Sequence, residues 1–166
     1  QRGRGRPAKV FCLTDAGRDQ FEQRYEQIAN EALAYLASKL GEGAVTDFAD
    51  AVMAEIEADI ESHPSDTSDR EGTIAALVEV LNDRGYVASL QPVASGVQLC
   101  QYHCPVAHVA AEFPQLCEAE TRAFANLLDS HVQRLATIAH GDGVCTTHVP
   151  RPVPATAHPS PQGRAH

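Results

Sequence analysis

The chemistry open to this sequence lies in its five cysteines, four of which fall between positions 100 and 145. Cys104 and Cys117 bracket twelve residues in CPVAHVAAEFPQLC, and twenty-seven more separate Cys117 from Cys145 in HGDGVCTTHVP. Thiolates are soft ligands, suited to iron–sulfur clusters, zinc or copper(I). Zinc ribbons bring close CxxC pairs, and the absence of any here weighs against zinc. Cys100, three residues before Cys104, is the first candidate for a fourth ligand, with His103 and His148 behind it and His108 also flanking Cys104. On an extended strand, positions 145 and 148 point to opposite faces, which counts against His148. The plainer alternative is that cysteines pack as small apolar residues, and several in one region need mean no more than that. An odd count with no secretory leader makes a disulfide framework a poor fit, so reduced thiols are expected.

The elements that must carry these thiols can be read from periodicity and punctuation. After the apolar VFCL, Thr14 is a candidate N-cap, and Phe21, Tyr25, Ile28, Leu33, Leu36 and Leu40 recur at helical spacing up to Gly41. A helix of that length suits dimerisation as well as core packing. VTDFADAVMAEIEADIE predicts a second helix capped by Thr46, with Phe48, Val52, Met53 and Ile56 on one face. HPSDTSDREG reads as a flexible loop, and TIAALVEVLNDRG as a third helix capped by Thr73 and ended by Gly85. YVASLQPVASGVQLCQYHC predicts a β-hairpin turning near Pro92, Ser95 and Gly96. EFPQLCEAETRAFANLLD predicts a helix with Pro114 in its first turn, and HVQRLATIA, HGDG and VCTTHVP a second hairpin. This order fits an α+β fold. Cys104 would then follow a strand, Cys117 sit in a helix's first turns, and Cys145 open a strand. Three separate elements could bring their thiols to one point, where the helix N-terminus would favour thiolate.

Composition bounds the rest. Hydrophobic residues make up 43% of the 166 positions, aromatics only 5%, and Trp is absent, so the core should be aliphatic and alanine-rich. No run approaches the eighteen or so apolar residues of a membrane span, and a cytoplasmic protein without membrane contact is expected. The net charge of -9 argues against the whole chain lying on nucleic acid. Yet QRGRGRPAK carries Arg2, Arg4, Arg6 and Lys9 without an acid, a basic arm on an acidic body. Cys–His pairs occur in hydrolases, and Asp142 could orient such a pair. No nucleophile elbow, P-loop or Rossmann pattern is present, so no enzyme is expected. Cys12, alone in VFCL, reads as packing, and the proline-rich residues 151–166 as a disordered tail.

CPVAHVAAEFPQLCEAETRAF followed by HGDGVCTTHVP resembles the sensor domain of SufR-type transcriptional repressors. These are iron–sulfur proteins of the DeoR-like winged-helix family that control cluster-assembly operons. Their pattern is a cysteine, twelve residues, a cysteine in an FPxxC context, twenty-seven residues and a third cysteine. Cys104, Cys117 and Cys145 reproduce it without a gap, and RGRPAKVFCLTDAG is similar to the wing and last strand of the winged helix.

The resemblance implies a remnant wing over residues 1–13, a dimerisation helix over 14–41, an iron–sulfur sensor domain over 42–150 and the tail. It implies a homodimeric repressor whose cluster, of two or four irons, is held by Cys104, Cys117 and Cys145 and governs operator binding. The loaded form would repress, and loss of the cluster under iron limitation or oxidation would release DNA. Arg2, Arg4, Arg6 and Lys9 would touch phosphates or the minor groove. The helix-turn-helix expected before the wing does not precede it here, so this chain alone is not expected to read operator sequence. Cys100 stands outside the family pattern. Two other classes compete: a zinc-stabilised interaction module, and a metal-free redox sensor pairing Cys100 with Cys104.

Overall fold

The computed structural model describes residues 24–64, 67 and 69–152. The expected wing, the start of the first helix, Arg2, Arg4, Arg6, Lys9, Cys12 and nearly all of the tail lie outside these residues. The first described helix, α1, runs Tyr25–Leu40. Gly41, at φ 87°, is the whole connection to α2, Glu42–Glu61. A side chain is strained at that dihedral, and glycine's freedom allows the reversal in one residue. Helix α2 therefore starts earlier than expected, and Thr46 lies inside it rather than capping it. Its buried face is Val45, Ala49, Met53, Ile56 and Ile60 at spacings of three and four. Phe48, expected on that face, is half-exposed.

Helix α3, Arg70–Asp83, is capped by Asp69, whose Oδ1 accepts the Gly72 N–H at 2.7 Å. Thr73, the expected cap, is one turn inside and donates its hydroxyl back to the Asp69 carbonyl. Strands β1, Ala88–Val93, and β2, Gly96–Gln101, form the expected first hairpin. Pro92 is part of β1, which lies at the sheet edge where a lost N–H costs no ladder bond. A short helix α4, Ala107–Glu112, then precedes α5, Gln115–Leu127. The sequence reading had no element at α4. The break falls at Phe113–Pro114, because proline pushes the preceding residue out of helical conformation. Pro114 is thus the N-cap of α5.

Strands β3, Gln133–Ala136, and β4, Cys145–Pro150, flank a 3₁₀ turn at Ile138–His140 and pair antiparallel, as the second hairpin required. The two hairpins join through β2 and β4 into one antiparallel sheet of order β1-β2-β4-β3. The fold among the described residues is α+β, five α-helices with a four-stranded sheet.

Strand β4 alternates strictly, with Cys145, Thr147 and Val149 buried and Thr146, His148 and Pro150 between them less so. The inward set meets Leu99 and Gln101 of β2 and the helix residues Leu77, Leu81 and Phe124, which form the core. Gly96 sits where β2 meets the end of β4, and a Cβ there would stand 2.1 Å from the Val149 carbonyl oxygen. Only glycine permits that approach. Among the described residues no helix is long and apolar enough to cross a membrane.

Candidate metal centre

Cys104, Cys117 and Cys145 come from three elements and line one cavity of about 60 Å³. Cys104 lies between β2 and α4, Cys117 is the third residue of α5, and Cys145 begins β4. Sheet register explains how the last arrives: Cys145 pairs with Gln101, so both point to the inward face of the sheet. Tyr86, Gln101 and Glu120 complete the polar wall, and Val52, Met53, Val106, Ala110 and Leu116 the apolar one. All four described cysteines, with Cys100, are free thiols.

The Cys104 and Cys145 sulfurs accept from backbone N–H groups, and the Cys117 sulfur has a hydroxyl partner. The Val106 N–H points to the Cys104 sulfur, and the Ile138 N–H donates to the Cys145 sulfur at 3.3 Å. Thr137 Oγ1 lies 3.9 Å from the Cys117 sulfur. The 3₁₀ turn that supplies the last two partners is held by Asp142, whose Oδ2 accepts the Thr137 N–H at 2.9 Å. Asp142 thus braces a turn.

Burial dominates the protonation of the site. It pushes the Cys104 thiol up to about 11, against the Val106 hydrogen bond and with the negative charges of Glu120, Cys145 and Cys117. Burial also pushes Cys117 upward, and the Thr137 contact opposes it. The start of α5 does not make Cys117 a ready thiolate, as the sequence reading expected, because desolvation there outweighs the favourable terms. The phenol of Tyr86 is likewise raised, first by burial and then by Glu120.

Beside the thiols lies a buried charge pair. Glu120 accepts from the Arg134 Nη2 and, at 2.9 Å on its other oxygen, from Gln101 Nε2. Arg134 also reaches Gln101 Oε1 at 3.3 Å and lies over the Phe124 ring. Burial works against the Arg134 charge, but the Glu120 carboxylate more than restores it. Tyr86 enters the cavity between Gly85 at φ 86° and Val87 at φ 50°, a left-handed dihedral that a β-branched residue rarely adopts.

The other candidate ligands are not brought to this point. Cys100 pairs with Thr146 and Ser89, one residue out of phase with Gln101, and so faces the opposite side of the sheet. The same parity turns His148 outward, where its Nε2 lies 3.2 Å from Ser95 Oγ. His103 is exposed, and His108 bonds Glu26 of α1 at 2.7 Å. Among the described residues no three His, Cys, Asp or Glu side chains stand close enough to hold one metal ion. A tetrahedral zinc would need sulfurs about 3.8 Å apart, from a Zn–S bond of about 2.3 Å. A cluster spreads its irons and takes thiolates from farther apart.

Compared with known proteins, the chain matches no protein family, no curated protein and no solved structure.

The sequence reading missed Tyr86, Gln101, Glu120 and Arg134. Glu120 had a signal, since it follows Cys117 by three residues on a helix and so shares its face. The others depend on contacts across the sheet.

Proposed function

We propose that this chain is the sensor portion of an iron–sulfur transcriptional regulator of SufR type, a repressor whose DNA binding follows cluster occupancy. The observation that carries the reading is the convergence of Cys104, Cys117 and Cys145 on one cavity, each sulfur with a hydrogen-bonding partner. Donors of this kind steady thiolates on a cluster and tune its potential. The bound cluster would supply a redox- and iron-sensitive link among the three segments.

The donor chemistry fits such a group. The cavity is smaller than a cluster, so assembly must displace part of its wall. Val106 is the exposed residue of that wall. Cys104, Cys117 and Cys145 would release their protons as they bind.

A route from the site to the dimer helix is also at hand. Cys104 is followed within three residues by α4, which is tied to α1 by His108 and Glu26. Gln115 at the start of α5 donates to Glu42 at the start of α2, at 3.1 Å. Tightening Cys104 and Cys117 onto a cluster would therefore pull on the start of α1 and the start of α2. The homodimer belongs to the proposal, and the exposed Tyr25, Ile28 and Tyr35 support it, one apolar stripe along α1. In the proposed protein, the basic arm at Arg2, Arg4, Arg6 and Lys9 meets DNA backbone and the operator is read by a winged helix.

The test is anaerobic loading with iron and sulfide, followed by iron, sulfide and zinc assays and a visible spectrum. Equal iron and sulfide with a brown chromophore is expected, lost in Cys104→Ser, Cys117→Ser and Cys145→Ser but kept in Cys100→Ser. A colourless protein after loading, or a chromophore indifferent to the three serine variants, would sink the proposal.

A further inference from the structure

We infer that Cys117 and Cys145 form a reversible dithiol–disulfide pair in the metal-free chain. Cys117 is the thiol that meets a peroxide, and Cys145 is the one that resolves it; the pair stands whether or not a cluster is ever bound. A bond between two thiols asks less of the site than a metal does. Among the described residues no three His, Cys, Asp or Glu side chains stand close enough to hold a metal ion, and the shared cavity is only about 60 Å³. A disulfide needs two sulfurs and leaves no space between them, its S–S bond being about 2.05 Å. A small cavity therefore closes as the bond forms.

Access singles out Cys117. It stands on the wall between two spaces, the cavity and an open groove of about 650 Å³ along α5, β3 and the 3₁₀ turn. Of the described cysteines, Cys117 is the one that lines this groove. Cys145 is 4% exposed, too deep to meet an oxidant first. Position then joins the two. The Cys117 sulfur lies 3.9 Å from the Thr137 hydroxyl, and the Cys145 sulfur accepts from the N–H of the next residue, Ile138, at 3.3 Å. Both sulfurs thus hang on consecutive residues of one turn. Cys104 is held instead within its own loop, by Val106, and Cys100 faces the other side of the sheet.

The steps balance with hydrogen peroxide as the oxidant. The Cys117 sulfur gives its proton to water and attacks one peroxide oxygen. The O–O bond breaks, the other oxygen leaves as water, and Cys117 becomes a sulfenic acid. The Cys145 sulfur, losing its own proton, attacks the Cys117 sulfur; the S–O bond breaks and a second water leaves. Two thiols have given up two electrons and two protons, and one peroxide has become two waters. Burial opposes ionisation of Cys117, so the first step is slow and the bridge records sustained rather than brief exposure. Once formed, it withdraws two of the three cavity thiols from any other use.

The test uses the reduced, metal-free full chain, held in millimolar hydrogen peroxide for a day and then alkylated to block free thiols. Digestion with trypsin and a glutamate-specific protease places Cys117 in residues 113–118 and Cys100 with Cys104 in 85–112. Cys145 falls in the peptide that starts at Leu135. Mass spectrometry without reductant should find the 113–118 peptide joined to the Cys145 peptide as the main product, within one chain, and dithiothreitol should separate them. This reading needs no variant to fold. Cys145→Ser should leave Cys117 as a sulfenic acid that dimedone captures, and Cys117→Ser should leave Cys145 a free thiol. The same treatment in concentrated urea should scatter the pairing, because the fold no longer selects the partners. A main product that joins Cys104 to either thiol, or links only between chains, would overturn the pair. So would Cys117 and Cys145 both alkylated at the end of the exposure, or the same single bridge in urea.

Discussion

The Glu120–Arg134 pair makes a prediction independent of any metal. Its side chains are 9% and 13% exposed, so both charges sit almost wholly out of water. Arg134→Met removes one partner and leaves the carboxylate with Gln101 alone, and orphaning a buried charge costs about 3–5 kcal/mol. The contact of Arg134 with the Phe124 ring, 6.0 Å to the ring centre, adds about 1 kcal/mol to that loss. With a urea dependence of about 1.5 kcal/mol per molar for a domain this small, the midpoint should fall by about 3 to 4 M. The double variant Glu120→Gln, Arg134→Met removes both charges, and two neutral groups of similar size often replace a buried pair at little cost. Its loss should be only about 1–2 kcal/mol, so the two substitutions should couple favourably by at least about 2 kcal/mol. The assay is urea unfolding of metal-free protein followed by far-ultraviolet circular dichroism, on all four members of the cycle. A loss below about 1 kcal/mol in Arg134→Met, or a double variant as unstable as the sum of the singles, would refute the claim that this pair is a desolvated unit.

Two further outcomes follow from single observations. Gly96→Ala should lose about 3 kcal/mol or more in the same unfolding assay, because its new methyl would meet the Val149 carbonyl at 2.1 Å and the β2–β4 ladder would have to part; Gly143→Ala, where nothing stands within 4 Å, should lose less than about 1 kcal/mol. The metal-free protein should also weaken in alkali. The unfolded Cys104 thiol ionises near 9.0, while burial holds its proton to about 11 in the fold. The unfolded state thus binds fewer protons in that window, so stability is complete below pH 9 and falls as pH rises through 11. Tyr86, also raised by burial, acts in the same direction. Unfolding midpoints measured across this window should fall less steeply in Cys104→Ala, and an equal slope would refute the assignment.

Local signals in the sequence were read well, and contacts across the sheet were not. The hairpin over Ala88–Gln101 and the Gly85 stop were legible because glycine punctuation and alternating apolar residues are local properties. Helix α4 escaped because AHVAAE is too short to show a helical period, and it lies directly before another helix. Asp69 was overlooked as a cap in favour of Thr73, although Asp69 was the stronger acceptor one turn earlier. At the site, the spacing of the three cysteines was visible, and strand alternation already separated His148 from Cys145. Cys100 could not be placed in that way. Whether it shares a face with Cys145 depends on the register of β2 against β4, which no local pattern encodes. Glu120 was hidden for a different reason: a glutamate on a helix ordinarily faces water, and its buried partner Arg134 is fourteen residues away on a strand.

Under the proposed function, these same facts would favour a sensing site over one that holds the fold together. Hydrogen bonds and packing join β2, α5 and β3 without any metal, through Gln101, Glu120 and Arg134. Burial opposes ionisation of Cys104 and Cys117 in that state. A structural metal site would be expected to form the fold itself, leaving the chain unfolded without its ion. Here the core of Leu77, Leu81, Leu99 and Phe124 is packed without any metal, and Met53, Tyr86, Ala110 and Leu116 of the same core line the cavity. The proposed cluster would then choose between two folded states. The difference between them would fall on the Cys104 loop with α4 behind it and on the start of α5, and hydrogen bonds run from α4 to α1 and from α5 to α2. A site with separately stable empty and loaded forms, wired to the helix with an uncovered apolar stripe, is what a ligand-dependent change in dimer geometry requires.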